Sequence, residues 1–300
     1  MNIEKIKNAL LECYSKDLCY PKVQDNWNYG NKCFGMSAIT SLIVNDYFGG
    51  DICKIYVDGI SHYFNLIENN IVDLTKSQFN HKIDYNDYKI VDRQKILTDD
   101  TKHRYITLKE RLINKLLKQV DKKVYSCKSC DKLVDKFPDD ATVFLGKDND
   151  IVLVGEAPAN NGWRKSHKLW TDLNGKVLPS VFVLQKLFDI IDRDIFETTF
   201  LESVKCYPLE RKNLKICSKN CKNIMLEQLK IINPKLIITL GEFPTRNLLD
   251  FKFNKFVDVV GKIYEVNDYK ILPIYHPSPI YPKSYKGNLP IFERLKECNK

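Results

Sequence analysis

Four apolar runs in the second half of the chain restrict its fold more than any other feature. They are IVLVGEAP (151–158), FLESVKCYP (200–208), KLIITLGE (235–242) and YKILPIYHPSP (269–279). Short runs rich in Ile, Leu and Val read as strands buried on both faces. Helical segments lie between them: VFVLQKLFDII, KNIMLEQLKII and PTRNLLDF. Strands alternating with helices predict an α/β fold, a parallel sheet covered on both sides as an α/β/α sandwich. In such folds ligands bind beyond the carboxyl ends of the strands. Each run carries its unusual residues at that end, as GEAP, CYP, LGE and HPSP.

The first half has a different pattern. SAITSLIVNDYFGG (37–50) reads as a buried helix, with Ser37 as its N-cap and Gly49-Gly50 as its stop. The β-rich pieces ICKIYVDG, ISHYFNLI and NNIVDLT follow, so an α+β domain is expected there. YITLKERLINKLLKQVDKKV places Leu108, Leu112, Ile113, Leu116 and Leu117 on one helical face. This segment reads as a helix joining two domains, 1–104 and 125–300, across a linker at 105–124. A length of 300 residues suits two domains.

Charge adds a partner class. Lys and Arg number 47 against 38 Asp and Glu, a net charge of +9. Residues 1–120 hold 17 basic and 15 acidic side chains, and residues 121–300 hold 30 and 23. A basic second half suits a polyanion such as nucleic acid. With 44% apolar and 28% charged residues the chain is neither collagen-like nor wholly disordered. It lacks an apolar run of ~18 residues, so no membrane span is expected. MNIEKIKNALLECYSKDLC lacks a signal-peptide core, which points to the cytoplasm.

Ten cysteines in a cytoplasmic chain favour metal ligation or catalysis over disulfides. Cys127-x-x-Cys130 precedes the first strand, Cys206 ends the second, and Cys217 and Cys221 lie close behind. Two paired and two distant thiols fit a four-thiolate site, which zinc and an iron–sulfur cluster both accept.

GEAPA (155–159), VKCYP (204–208), the helix after Cys221 leading into NPKLIITLGE (233–242), and YHPSP (275–279) stand in the order of the uracil-DNA glycosylase superfamily. About 125–300 resembles its iron–sulfur branch, the family 4 and 5 glycosylases. The resemblance implies a [4Fe–4S] cluster on Cys127, Cys130, Cys206 and Cys221, with Cys217 spare and zinc as the alternative. It makes Gly155, Glu156, Ala157, Pro158 and Ala159 the water-positioning loop, and His276 the donor to the base carbonyl oxygen. Pro277, Ser278 and Pro279 would shape a loop against DNA, and the lysines of YPKSYKGN would meet phosphates. Trp163, Trp170 and Phe182 or Phe188 are candidates to stack on a flipped base. The chain also departs from the family pattern. Ala159 replaces a glycine. Glu202 stands where an asparagine reads the base edge, beside Ser203, and could read another base or activate water. The loop GWRKSHKLW (162–170) offers Arg164, Lys165, His167 and Lys168 to DNA or to a modified pocket.

GMSAITSLIVNDYFGGDI, SHYFNLI and VDLTKSQF resemble the YunG-like family of small bacterial proteins over about 27–85. The layout suggests a papain-like site: a nucleophile at a helix N-terminus, His62 as base, and Asp73 or Asn65 to orient it. Ser37 stands where the family carries cysteine, and Cys33 is a substitute nucleophile. Function is therefore expected to be DNA glycosylase hydrolysis of a damaged, uracil-like base in DNA repair. The alternative is a catalytically reduced DNA-binding sensor whose N-terminal domain engages a protein partner. A cysteine-hydrolase-like enzyme carrying the glycosylase fold for targeting is a third reading, which Ser37 disfavours.

Overall fold

A computed structural model describes residues 1–137, 141–160 and 162–298. The chain divides into two compact units, Met1–Leu116 and Leu117–Lys300. In the first unit, α1 (Ile3–Cys13) and α2 (Ser37–Phe48) precede a four-stranded sheet. Its strands are β1 (Asp51–Val57), β2 (Ile60–Ile67), β3 (Asn70–Val72) and β4 (Lys89–Ile90), all antiparallel, in the order β3-β2-β1-β4. Helix α2 ends at Gly49, whose φ of 68° suits a residue without a side chain.

A short α3 (Arg93–Ile96) leads into α4 (Asp99–Ser126), a 28-residue helix. It runs past both ends of the expected 105–124 linker. Asp99 and Asp100 in its first turn favour the positive helix end. Leu108, Leu112, Ile113, Leu116, Val120 and Val124 are buried, as the apolar face of the expected helix requires.

The second unit contains β5 (Val134–Asp135), β6 (Val143–Phe144), β7 (Asp148–Gly155), α5 (Trp163–Ser166) and α6 (Pro179–Ile190). They are followed by β8 (Thr198–Glu202), β9 (Tyr207–Pro208), α7 (Leu214–Ile232), β10 (Leu236–Leu240) and α8 (Glu242–Leu248). Strands β11 (Tyr264–Val266) and β12 (Tyr269–Ile274) and helix α9 (Leu289–Cys298) complete it. The main sheet has the order β11-β12-β10-β7-β8-β6. Its four central strands are parallel and its two edge strands antiparallel. All four apolar runs thus supply the parallel centre. Every residue of β8 and β10 is buried, as strands covered on both faces require.

Helix α6 begins on Pro179, whose fixed φ suits a first turn, and buries Val181, Leu184, Leu187 and Phe188 against the sheet. Helix α7 stops at Asn233, which takes the left-handed conformation just before Pro234. The run 200–208 is not one strand. After Glu202 the strand gives way to a bend that still follows the turn after β7, with Ser203 N–H on the Gly155 carbonyl (2.9 Å) and Val204 N–H on the Glu156 carbonyl (3.1 Å). Beyond that bend β9 pairs with β5 as a separate ribbon. Among the described residues no helix is long and apolar enough to cross a membrane. Leu184→Ala should lower the stability of the second unit by about 2–5 kcal/mol, because a fully buried side chain leaves a cavity against the sheet. Denaturant unfolding of the two proteins checks this.

Candidate active site and cysteine cavity

Parallel pairing brings the carboxyl ends of β7, β8, β10 and β12 to one edge, and a cleft of about 540 Å³ opens there. Gly155, Glu156, Ala157 and Ala159 line it from the turn after β7, Glu202 from β8, and His276 and Pro277 from the loop after β12. Gly241, which follows β10, has φ +97°, and a Cβ there would stand 3.3 Å from His276 Cβ. A side chain at 241 would therefore push the histidine away.

The His276 loop is clamped from below. Buried Asn288 accepts the Tyr275 N–H (2.8 Å) and donates to the carbonyls of Tyr275 (2.8 Å) and Ser284 (2.7 Å). Ser278 N–H donates to His276 Nδ1 at 3.1 Å. That bond leaves the proton of the neutral ring on Nε2. Partial burial holds the imidazole below its ordinary value, against the opposing pull of the Glu156 carboxylate. The ring therefore stands as a neutral Nε2–H donor. Arg211 grips Glu156 with Nη1 and Nη2 at 2.8 and 3.3 Å.

Glu202 is 2% exposed. Its Oε1 accepts the Trp163 indole N–H at 2.6 Å, and its Oε2 is buried with no hydrogen-bond partner. Burial raises the Glu202 carboxyl above its ordinary value, although Arg164, the Trp163 N–H and Lys205 all pull the other way. Trp163, Trp170 and Phe200 form an aromatic wall of the cleft, with Trp170 and Phe200 centroids 4.7 Å apart.

A second, smaller cavity lies in the same unit. Cys127, Cys130, Cys206, Cys217 and Cys221 all line it. The β5–β9 ribbon holds the Cys127–Cys130 segment beside Cys206, and α7 brings Cys217 and Cys221. Asn220 Nδ2 donates to Cys130 Sγ at 3.2 Å. Among the described residues no three donors converge as one metal ion would need. Five thiols facing one small cavity are a donor set that either an iron–sulfur cluster or zinc accepts.

In the first unit His62 and Asp73 form a buried pair, Nε2 to Oδ2 at 2.6 Å. Gln78 Nε2 donates to His62 Nδ1 (3.0 Å) and to the Thr75 carbonyl (3.1 Å), while its Oε1 accepts the Gly35 N–H (3.4 Å). Asp73 and Gln78 thus take the two ring nitrogens, and neither of these bonds is to Ser37. Ser37, at the first turn of α2, lines a cavity of about 470 Å³ together with Gln78 and Phe79, the two residues that also contact His62. Asn65 does not orient the imidazole; it donates to the Ser41 carbonyl at 3.1 Å. Cys33 is buried, accepts the Ser77 hydroxyl at 3.3 Å, and has its thiol pushed up by desolvation, the reverse of an activated nucleophile.

A model of the Uracil DNA glycosylase superfamily matches residues 143–296. The chain belongs to this superfamily. Residues 2–117 match the YunG protein family model. The chain is 28% identical over 173 residues to a Type-4 uracil-DNA glycosylase of Archaeoglobus fulgidus, covering 55% of this chain and 82% of that protein. A Type-4 uracil-DNA glycosylase of Sulfurisphaera tokodaii is 30% identical over 172 residues, 54% of this chain and 74% of that protein. The uncharacterized protein YunG of Bacillus subtilis is 28% identical over 108 residues, 36% of this chain and 89% of that protein.

Within the glycosylase-superfamily unit, several expected DNA contacts lie elsewhere. Arg164 is 1% exposed; Nη1 donates to the Lys205 carbonyl (3.1 Å) and its guanidinium lies over the Phe137 and Trp163 rings. It packs against Trp163 and does not line the cleft. Ser203 is buried with its hydroxyl on the Gly155 carbonyl (3.0 Å), where it fastens the turn after β7. Pro158 is buried behind that turn, Ser278 is half-buried, and His167 is exposed in the left-handed conformation after α5. Phe188 is a core residue, whereas Phe182 is exposed on α6. Ser284 and Asn288 of YPKSYKGN are buried, so only part of that segment is open to phosphates. Sequence reasoning missed Asn288, Gly241, Phe200 and Arg211. The basic stretch ERKNLK is a signal that could have pointed to Arg211.

The His62 pair carries a pH signature. Burial pushes the Asp73 carboxyl up, but the His62 N–H, the Tyr85 hydroxyl and the Thr75 N–H together hold it below the usual carboxylate value. Its stabilising effect is thus fully present above the ordinary carboxylate range and is lost as pH falls through the depressed folded value. His62→Ala should cost about 1.5–3 kcal/mol at neutral pH, the worth of a hydrogen bond to a charged group. That difference should shrink on acidification. Denaturant unfolding across pH, read by hydrogen exchange in residues 1–116, checks both statements.

Proposed function

We propose that this chain is a DNA glycosylase that flips a damaged, uracil-like base into the cleft and hydrolyses its N-glycosidic bond. The observation that carries the reading is His276, held by Ser278 N–H as a neutral Nε2–H donor at the carboxyl edge of the parallel sheet. The C1′–N bond breaks with its electron pair going to the base, and the sugar becomes oxocarbenium-like. His276 Nε2–H donates to the base carbonyl oxygen as negative charge develops there. Burial keeps the imidazole neutral at pH 7, and it then offers its Nε2–H to that charge. Glu156 faces the same cleft, and Arg211 fixes its carboxylate. There it offsets the positive charge on the sugar and orients the water that attacks C1′; the water's proton leaves to the carboxylate.

The aromatic wall of Trp163, Trp170 and Phe200 offers a surface for the flipped base. Ile280, just past HPSP, is 92% exposed, which suits an apolar wedge filling the gap the base leaves. The basic excess of residues 121–300 supports phosphate contact. Cys127, Cys130, Cys206 and Cys221 would hold a [4Fe–4S] cluster, with Cys217 as a fifth thiol at the cavity wall. Such a cluster would fasten the segment before the sheet to α7 and take no part in the bond cleavage.

Excision assays on single- and double-stranded oligonucleotides bearing uracil, hypoxanthine or xanthine test the reading. His276→Ala should lower excision by roughly 10²–10³-fold, the usual loss of one charge-stabilising donor, with DNA affinity retained. Wild-type rates in the variant would refute the assignment. Salt-sensitive DNA binding without any excision would favour the sensor alternative. Anaerobically purified protein should be brown and contain iron and sulfide. Cys206→Ser should lose colour and iron together and unfold at lower temperature, as iron assay and thermal melting will read.

A further inference from the structure

The cleft contains one carboxyl group that the mechanism above leaves unused. Glu202 closes β8 and lines the cleft, yet almost none of it reaches solvent. Trp163 N–H occupies Oε1 at 2.6 Å, while Oε2 is buried and unpartnered. An ionised oxygen left in that state is costly.

The neighbouring charges do not pair with this carboxylate. Lys205 Nζ donates to the main-chain carbonyl of Glu202. Arg164 gives Nη1 to the Lys205 carbonyl, and its buried Nε is unpartnered. Glu156, Arg211 and His276 face the same cleft from other loops, with Glu156 and Arg211 bonded to each other. Among the described residues no ion pair includes the Glu202 carboxylate. A proton on Oε2 removes the cost, and Oε1, already accepting the indole N–H, stays the carbonyl-like oxygen.

Taking the glycosylase reading as its basis, we propose that Glu202 meets the flipped base as a neutral carboxylic acid, its Oε2–H donating to an oxo group on the base, and so selects deaminated bases over their amino parents. Uracil and hypoxanthine present an acceptor where cytosine and adenine present an amino donor. An O–H set against an amino N–H is donor against donor, and the buried mismatch excludes the parent base. An ionised Glu202 would reverse the preference, repelling the oxo group. Burial raises the Glu202 carboxyl, which keeps it protonated beyond the ordinary carboxylate range.

The experiment follows single-turnover excision from a single-stranded uracil oligonucleotide, from mildly acidic to alkaline pH, for wild type, Glu202→Gln and Glu202→Leu. Glutamine carries a permanent N–H donor and a carbonyl acceptor in nearly the same shape. Wild-type excision should fall on the alkaline side as Glu202 ionises. Glu202→Gln should stay within about tenfold of wild type at neutral pH and lose that alkaline limb, and Glu202→Leu should lose roughly 10–100-fold throughout. Any acidic limb, being independent of Glu202, should be common to all three. An infrared difference spectrum of wild type minus Glu202→Gln, on free protein, should show a protonated carboxylic acid band at neutral pH. An ionised carboxylate band, or an alkaline limb that survives in Glu202→Gln, overturns the proposal. If the acid band is present and no oligonucleotide is excised by any of the proteins, the glycosylase reading fails and base selection fails with it, while the neutral state of Glu202 stands.

Discussion

Parallel pairing of four buried strands is the constraint on which the rest of the second unit depends. Because β7, β8, β10 and β12 run the same way, their carboxyl ends share one edge, and the loops leaving them share one cleft. The strands occupy both faces with helix contacts, so only those ends are free to vary. Residues 156, 202 and 276, far apart in sequence, become neighbours for this reason. Glycine at 241 and the buried Asn288 then set where His276 stands.

Buried polar groups mark the working parts of both units, in two different ways. In the first unit Asp73 is surrounded by donors and His62 has both nitrogens occupied, so the network ties β2 to the segments around Gly35 and Thr75. A satisfied network of this kind gives rigidity. In the second unit Glu202 has one oxygen satisfied and one left open. An unsatisfied buried oxygen inside a cleft is better suited to a ligand than to the fold.

Much of this was legible in the residues. The four runs appeared as strands because Ile, Leu and Val without alternation have one reading in an α/β pattern, and their polar ends located the cleft. The five clustered cysteines were visible from spacing. Other features were not. Arg164 and Lys168 look alike in GWRKSHKLW, yet the former is buried and the latter exposed, because the turn after α5 decides which side faces inward. Phe182 and Phe188 lie six positions apart on α6, and helix rotation puts one in solvent and one in the core. The spacing of His62 and Asp73 suggested a pair, but nothing local announced that Gln78 would take the other nitrogen.

The sequence by itself determined the alternation of strands and helices, the edge of the sheet where chemistry gathers, and the thiols that line one cavity. These follow from short-range pattern, which local sterics and burial translate directly into structure. Tertiary structure alone decided the closed network around His62 and the half-satisfied state of Glu202. Each depends on a hydrogen-bond partner brought from another segment, and the chain meets that partner only once the core has packed.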